Sequence, residues 1–213
     1  MSASTHARRE RAELSELMLA VGPDAPTLCE GWTTRDLAAH LVVREARPDA
    51  APGILFSPLA GWTARVTRAV AARPYSELVR QVRTGPPTLS VFSLPGADGL
   101  GNLLEYFVHH EDVRRAQPQW APRDLPADLS NELWSRLGQM GGLMYRRVPV
   151  GVALRRTDGP GGQHVVRKGE PMVSVTGTAQ ELLLHTYGRA STQVEVSGPA
   201  HAVAAFHASP LSI

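Results

Sequence analysis

The sequence has little cysteine, few aromatic residues and almost no net charge. A single cysteine, Cys29, occurs in 213 residues, which excludes an internal disulfide and a zinc site built from several cysteines. Aromatic residues make up 6% of the chain, and the formal net charge is only +2, with the basic residues spread along the sequence. Nucleic-acid-binding surfaces concentrate basic charge and stacking aromatic rings, so we expect no nucleic-acid partner.

Long apolar runs are also missing. No stretch reaches the roughly 18 apolar residues that a membrane-spanning helix needs, so we expect no membrane partner. Residues 1–13 are polar and lack the apolar centre of a signal peptide, which predicts a cytoplasmic protein. No partner base lies near Cys29 in the sequence, so we expect this residue to serve as a small, partly buried apolar side chain.

Apolar residues at helical spacing predict a mainly α-helical domain over residues 1–145. The pattern favours a first helix over 6–21 and a last one from about Ala127, whose stripe continues to Met144. Shorter amphipathic pieces lie within 59–84. With two further helices described below, this makes four principal helices, which predicts a four-helix bundle whose side chains meet in its centre.

The second helix begins with a capping signal and contains a histidine. Thr33 is the expected N-cap, and Asp36 three residues later completes a short capping box. His40 falls in the second turn of this helix, beside Leu37 and Leu41. A histidine near an apolar seam is commonly a hydrogen-bonded core residue, so His40 alone does not indicate a ligand.

The segment 102–115 places acids and histidines on one helix. With about 100° per residue, Glu105, His109 and Asp112 share an arc with apolar neighbours, whereas His110 points nearly the opposite way. Carboxylates on an inward face are costly unless a positive group meets them. A metal ion bound by Glu105 and His109 is one such group; a simple helix-surface pair is the other interpretation.

The sequence changes character after residue 145. Short alternating segments separated by glycine and proline predict strands near 150–154, 165–168, 172–176 and 193–197. Thr178 and Glu181 have the spacing of a capping box, which predicts a short helix there. We therefore expect a small α+β C-terminal domain over residues 146–213.

His40, Glu105 and His109 together make a plausible metal site. Two imidazoles and one carboxylate suit Zn²⁺ or another divalent metal and leave a coordination position open. Asp112, one turn after His109, is the predicted catalytic residue: it either orients the site or moves a proton. The metal prediction requires that the helices carrying His40 and His109 face each other.

The motifs Gly31-Trp32-Thr33…His40-Leu41 and Glu105-x-x-x-His109-x-x-Asp112 resemble those of the mycothiol-dependent maleylpyruvate isomerase family, which are DinB-like metal proteins of actinobacteria. The stretch 107–116 is most similar to an uncharacterised metal-binding branch of that family. The resemblance implies a DinB-like four-helix bundle and metal ligands at His40, Glu105 and His109. It covers nearly the whole chain, including the segment 175–189.

The same resemblance implies thiol chemistry. A low-molecular-weight thiol such as mycothiol would serve as cofactor, with its thiolate adding to a small electrophilic substrate to give cis–trans isomerisation or thiol transfer. Two alternatives stay open. A non-catalytic metal-binding module would use the ion to stabilise the bundle or sense zinc, with His110 or Asp36 as candidate further ligands. A metal hydrolase would need no thiol.

Overall fold

The computed structural model describes residues 2–54, 57–86, 102–209 and 211. The chain forms two compact units, Met1–Ala121 and Pro122–Ile213. The described residues are mainly helical, with eight α-helices and a four-stranded sheet near the C-terminus. None of these helices is both long enough and apolar enough to cross a membrane.

The first unit is helical throughout its described part. Its helices are α1 (Ala3–Val21), α2 (Thr34–Ala46), α3 (Ala60–Ala71), α4 (Tyr75–Thr84) and α5 (Asn102–Arg115), with 3-10 turns at Ala51–Ile54 and Ser57–Leu59. Helix α1 packs along α5 and α4, and α2 packs against α3 and α4. Apolar side chains such as Leu14, Met18 and Leu41 are fully buried between them.

Local sequence signals fix the start of α2, as predicted. Thr33 Oγ1 accepts a hydrogen bond from the Asp36 backbone N–H, and Asp36 accepts one from the Thr33 backbone N–H at 2.9 Å. This reciprocal cap satisfies two backbone donors that a helix otherwise leaves unpaired. The start of α2 sets the direction in which His40 points two turns later.

The second unit contains α6 (Ala127–Met144), β1 (Gly151–Arg156), β2 (Gly162–Arg167), β3 (Met172–Gly177), α7 (Ala179–Thr186), β4 (Glu195–Ser197) and α8 (Ala200–His207). The strand order is β2-β1-β3-β4. Strand β1 is antiparallel to β2 and parallel to β3, and β3 is antiparallel to β4. The predicted strands and helices are therefore present, as a small α+β sheet structure.

Helix α6 lies in the second unit, whereas the sequence placed it in a bundle ending at residue 145. It packs against β2 and α7. Two glycines allow this close approach: a Cβ at Gly138 would come within 2.6 Å of the His164 ring, and one at Gly141 within 2.5 Å of Val166 Cγ1. The predicted four-helix bundle is therefore not confirmed. Within the first unit, α4 packs against α1 and α2.

The capping box predicted for α7 is wrong. The Thr178 side chain makes no capping hydrogen bond. Instead Asp158, from the loop after β1, accepts a hydrogen bond from the Ala179 backbone N–H at 2.8 Å. Glu181 accepts one from the Gln193 backbone N–H at 2.6 Å. Long-range carboxylate contacts have replaced the local cap that the sequence pattern indicates.

Candidate metal centre

Helix α5 is buried on nearly all sides. Every residue from Asn102 to Arg115 is buried except Glu105 and Arg114. The sequence put His110 nearly opposite Glu105, His109 and Asp112, outside the apolar arc, yet only 5% of His110 is exposed. Its ring lies against α1, which covers the side of α5 that a surface helix would present to solvent.

Glu105 and the two histidines meet between α2 and α5. His40 Nε2 lies 3.2 Å from Glu105 Oε1, and His109 Nε2 lies 3.4 Å from the same oxygen. The two imidazole rings meet edge to face, with centroids 5.4 Å apart. One ligand atom from each of the three residues lies within 4.8 Å of the others. Tertiary packing thus brings together residues that lie 65 positions apart in sequence.

Asp112 lies on the other side of the His109 ring. Its Oδ2 is 2.9 Å from His109 Nδ1, and its side chain has no exposed surface. An ionised carboxylate only accepts hydrogen bonds, so Nδ1 carries a proton and donates it. This contact fixes the orientation of the ring and turns Nε2 towards Glu105. In metal sites, a carboxylate in this position orients the ligand histidine and raises its basicity.

Sequence reasoning missed Cys29, which lies beside the same ring. Its thiol donates to Asp112 Oδ2 at 3.2 Å, and its Sγ is 3.9 Å from His109 Nδ1. The backbone N–H of Leu28 donates to the Asp112 carbonyl at 3.0 Å, which holds this loop against α5. The expected role as a plain apolar side chain is therefore wrong. No spacing signal reveals the contact, because Cys29 and Asp112 are 83 positions apart.

Arg44 is a second residue that sequence reasoning missed. Its Nε lies 3.4 Å from Glu105 Oε1, and its Nη1 donates to Asn102 Oδ1 at 2.7 Å. Arg44 follows His40 by four residues, so helical spacing alone puts the two side chains on one face of α2. This spacing could have identified Arg44 from the sequence as a neighbour of His40.

The surroundings shift the pKa values of Glu105, His109 and His40. Burial would raise the pKa of Glu105, but hydrogen bonds to His109 and His40 hold it well below its usual range. Burial would lower the pKa of His109, yet its contacts with Asp112, Cys29 and Glu105 raise it well above normal. Burial, aided by the charges of His109 and Arg44, lowers the pKa of His40 despite its hydrogen bond to Glu105.

A cavity of about 550 Å³ opens beside His40, between α2 and α3. Trp32, Thr63, Thr67 and Arg68 contribute to its lining. The Trp32 ring lies 5.1 Å from the His40 ring, measured between centroids. The walls therefore combine apolar surface with a few polar groups, as small-molecule sites do. The volume is large enough for a small ligand that reaches the cluster around Glu105.

The donor set of this cluster fits a divalent metal. Two imidazole nitrogens and one carboxylate oxygen are the donors of many zinc sites that keep one position open. Hydrogen bonding at His109 Nδ1 leaves Nε2 as the ligand atom, and the lowered pKa of His40 keeps its ring neutral. The raised pKa of His109 means that a cation must displace a proton to bind there.

Comparison with known proteins supports the fold at a distant level. No family model matches the sequence, and no curated protein does. Two solved structures are similar: the crystal structure of the mycothiol-dependent maleylpyruvate isomerase, 17% identical, and that of a histidine-to-alanine mutant, 16% identical. Each match covers 92% of this chain and 91% of the other, with a TM-score of 0.56. The predicted resemblance is therefore confirmed for the fold.

Proposed function

We propose that this protein is a divalent-metal enzyme of the mycothiol-dependent maleylpyruvate isomerase family, acting as a thiol-dependent isomerase or S-transferase on a small electrophile. His40, Glu105 and His109 are the proposed ligands, and zinc is the proposed metal. The observation that carries the proposal is the convergence of two imidazole Nε2 atoms on one oxygen of Glu105. The fold likeness to a mycothiol-dependent isomerase supports the choice of thiol chemistry.

Each residue has a role that follows from its contacts. His40 and His109 supply neutral nitrogen donors from two helices, and Glu105 supplies a carboxylate oxygen between them. Asp112 is a positioning residue, because it touches the far nitrogen of His109. Its complete burial argues against the proton-moving role that the sequence also suggested, since it lies behind His109 as seen from Glu105.

The thiol and the electrophile are assigned to the cavity beside His40. When bound, zinc lowers the pKa of a coordinated thiol, so that a thiolate is available near neutral pH. Trp32 offers an aromatic surface on one wall of the cavity, and Thr63 and Thr67 offer hydroxyl groups. Arg68, at the exposed edge, offers a positive charge to an anionic group on either ligand.

The direct test is metal-edge X-ray absorption on the zinc-loaded protein, with and without a low-molecular-weight thiol. We expect nitrogen and oxygen neighbours without the thiol and an added metal–sulfur distance of about 2.3 Å with it. The same sample is assayed for isomerisation and for thiol transfer with small unsaturated electrophiles. Unchanged spectra at saturating thiol, together with no turnover, would overturn the thiol-dependent function.

The two alternative functions give different results in this experiment. A non-catalytic metal-binding module predicts that chelation lowers the melting temperature while the thiol leaves the metal spectrum unchanged. A hydrolase predicts turnover of ester or amide substrates in the absence of any thiol. The cavity beside His40 favours ligand binding over the purely structural role, because a metal that only stabilises the fold has no need of adjoining space.

A further inference from the structure

His110 and its neighbour His109 point to different sides of α5. Successive residues of a helix are about 100° apart, so His109 faces α2 while His110 faces α1. His110 Nδ1 lies 2.8 Å from Glu10 Oε2, and these side chains keep only 7% and 2% of their surfaces exposed. The imidazole and the carboxylate are thus buried together at the contact between α1 and α5.

A second carboxylate from α1 joins this pair. Glu13 follows Glu10 by three residues, which places both on one face of the helix. One ligand atom from each of Glu10, Glu13 and His110 lies within 4.8 Å of the others. Carboxylate oxygens and imidazole nitrogens are ligands that divalent transition metals bind. The three groups lie together where α1 packs against α5.

We propose that Glu10, Glu13 and His110 form a second divalent-cation site that ties α1 to α5. The three residues supply two carboxylate oxygens and one imidazole nitrogen, and they come from two helices. This set shares no residue with His40, Glu105 and His109. It has more oxygen than the first centre, so it suits Mn²⁺ as well as Zn²⁺. The cation neutralises the carboxylates, and its role is to hold two neighbouring helices together.

Arg9 is the nearest competitor for Glu13. Its Nε lies 2.7 Å from Glu13 Oε1, but the two side chains are 55% and 35% exposed. An exposed ion pair at this helical spacing contributes little to stability. Glu13 can therefore leave Arg9 for a cation at little cost, whereas Glu10 and His110 are already held in place by burial.

Metal stoichiometry tests the second site. The full-length protein is stripped with a chelator, reloaded with zinc or with manganese, and analysed for metal per chain. We expect two equivalents of zinc in the wild type and one in Glu13→Gln. Glu16→Gln is the matched control, because Glu16 lies on the same helix, is exposed and pairs with Arg83 instead. It should keep two equivalents.

Two histidine variants separate this proposal from the proposed function. His110→Ala should lose the metal of the second site and keep that of the first. His109→Ala should lose the metal of the first site and keep that of the second, so zinc should still raise its melting temperature. If Glu13→Gln, Glu16→Gln and the wild type bind equal amounts with equal affinity, the second site does not exist. If the wild type binds one equivalent and His109→Ala binds none, only the first centre is real. Glu13 is partly exposed, so its variant remains informative even if His110→Ala does not fold.

Discussion

The two units of this protein differ in how many acidic side chains they bury. Among the described residues, the first unit buries four acidic side chains: Glu10, Glu45, Glu111 and Asp112. The second unit buries one, Glu181, and its interior is mainly apolar, with Leu133, Leu137, Val173 and Val175 among its buried side chains. Burying a carboxylate is costly unless hydrogen bonds or cations meet it. In the first unit these carboxylates are met by buried partners, Arg11 at Glu45, Arg115 at Glu111 and the histidine rings at Asp112 and Glu10.

The proposed metal centre lies in the unit that buries more acidic side chains. All five residues of the candidate centre, including Cys29, belong to the first unit, and α5 supplies three of them. In the second unit, the buried Arg156 forms its contacts with Asp158, Asn131 and Ser130, which join a loop to α6. In the proposed function, the interior of the first unit binds and orients reactive groups, whereas the interior of the second unit holds a sheet and its helices in place. The following variants test this division.

Replacing His109 should have the largest effect, because it removes a ligand from the proposed centre. We expect His109→Ala to lose the metal equivalent of that centre and all thiol-dependent activity, while the second unit keeps its fold. Metal analysis and circular dichroism measure the two effects. His201→Ala, an exposed histidine on α8 of the second unit, is the control and should keep its metal. Unchanged zinc in His109→Ala would falsify the ligand assignment.

Arg11 tests the cost of breaking a buried charge network in the first unit. Its Nη2 lies 2.7 Å from Glu45 Oε1, with the two side chains 7% and 4% exposed, and Tyr106 donates to the same oxygen at 2.6 Å. Arg11→Met leaves the Glu45 carboxylate without its cation, which costs about 3–5 kcal/mol in a buried pair. Urea denaturation measures the loss of unfolding free energy.

A double variant completes that test. Arg11→Met combined with Glu45→Gln removes both charges, so we expect it to be more stable than Arg11→Met alone. If the double variant is instead less stable than Arg11→Met, the Glu45 carboxylate stabilises the protein without Arg11. It would then act through its other contacts in the first unit, such as the hydrogen bond from Tyr106.

A variant of Asp112 tests whether this residue holds the His109 ring of the proposed centre in place. Asp112→Asn keeps the size of the side chain but removes the charge that holds the His109 ring, so we expect metal affinity to fall about 10–100-fold. It should also lower the raised pKa of His109, since the hydrogen bond to Asp112 is the strongest of the contacts that raise it. Competition with a fluorescent chelator measures affinity, and exposed Asp24→Asn is the control. Equal affinities in the two variants would exclude the positioning role.

Asp158 tests the second unit and is expected to have the smallest effect. Burial would raise the pKa of Asp158, but hydrogen bonds from Arg156, Ser130 and the Ala179 backbone hold that pKa below its usual range. A depressed pKa in the folded state contributes stability above the unfolded value and loses it as the pH falls through the folded value. Asp158→Asn should therefore lose at most about 1 kcal/mol at pH 7, because solvent screens this partly exposed side chain. The difference should vanish at acidic pH, as urea titrations across pH will show.

Much of the fold was available from the sequence because its signals are local. The N-cap of α2 at Thr33, the stripe of Leu129, Leu133 and Leu137 on α6, and the turns between short strands all depend on neighbours within a few residues. The predicted cap of α7 was wrong because Asp158, which lies 21 residues before Ala179, accepts the hydrogen bond from the Ala179 N–H in place of a contact with Thr178. A pattern confined to one helix carries no information about such a contact.

The site was predictable only in part. Helical spacing pairs Glu105 with His109 and Asp112, the ligand chemistry of the set adds His40, and the sequence resemblance implies the same ligands. The same spacing put His110 opposite them but could not show that α1 buries it, because a helical wheel describes one helix and not the helices that pack around it. Cys29 could not be found, since nothing in the sequence near it points to α5. Its placement depends on a loop held by one backbone hydrogen bond between Leu28 and Asp112.

The sequence by itself determined the helices and strands, the absence of a disulfide and the residues able to bind a metal. Tertiary structure decided which of those residues meet: His40 with Glu105 and His109, Cys29 with Asp112, and His110 with Glu10. It also decided that α6 packs on the sheet, where Gly138 and Gly141 leave room for side chains of β2. The physical reason is range, because propensities and caps act over one or two turns, whereas these contacts join residues about 25 to 100 positions apart.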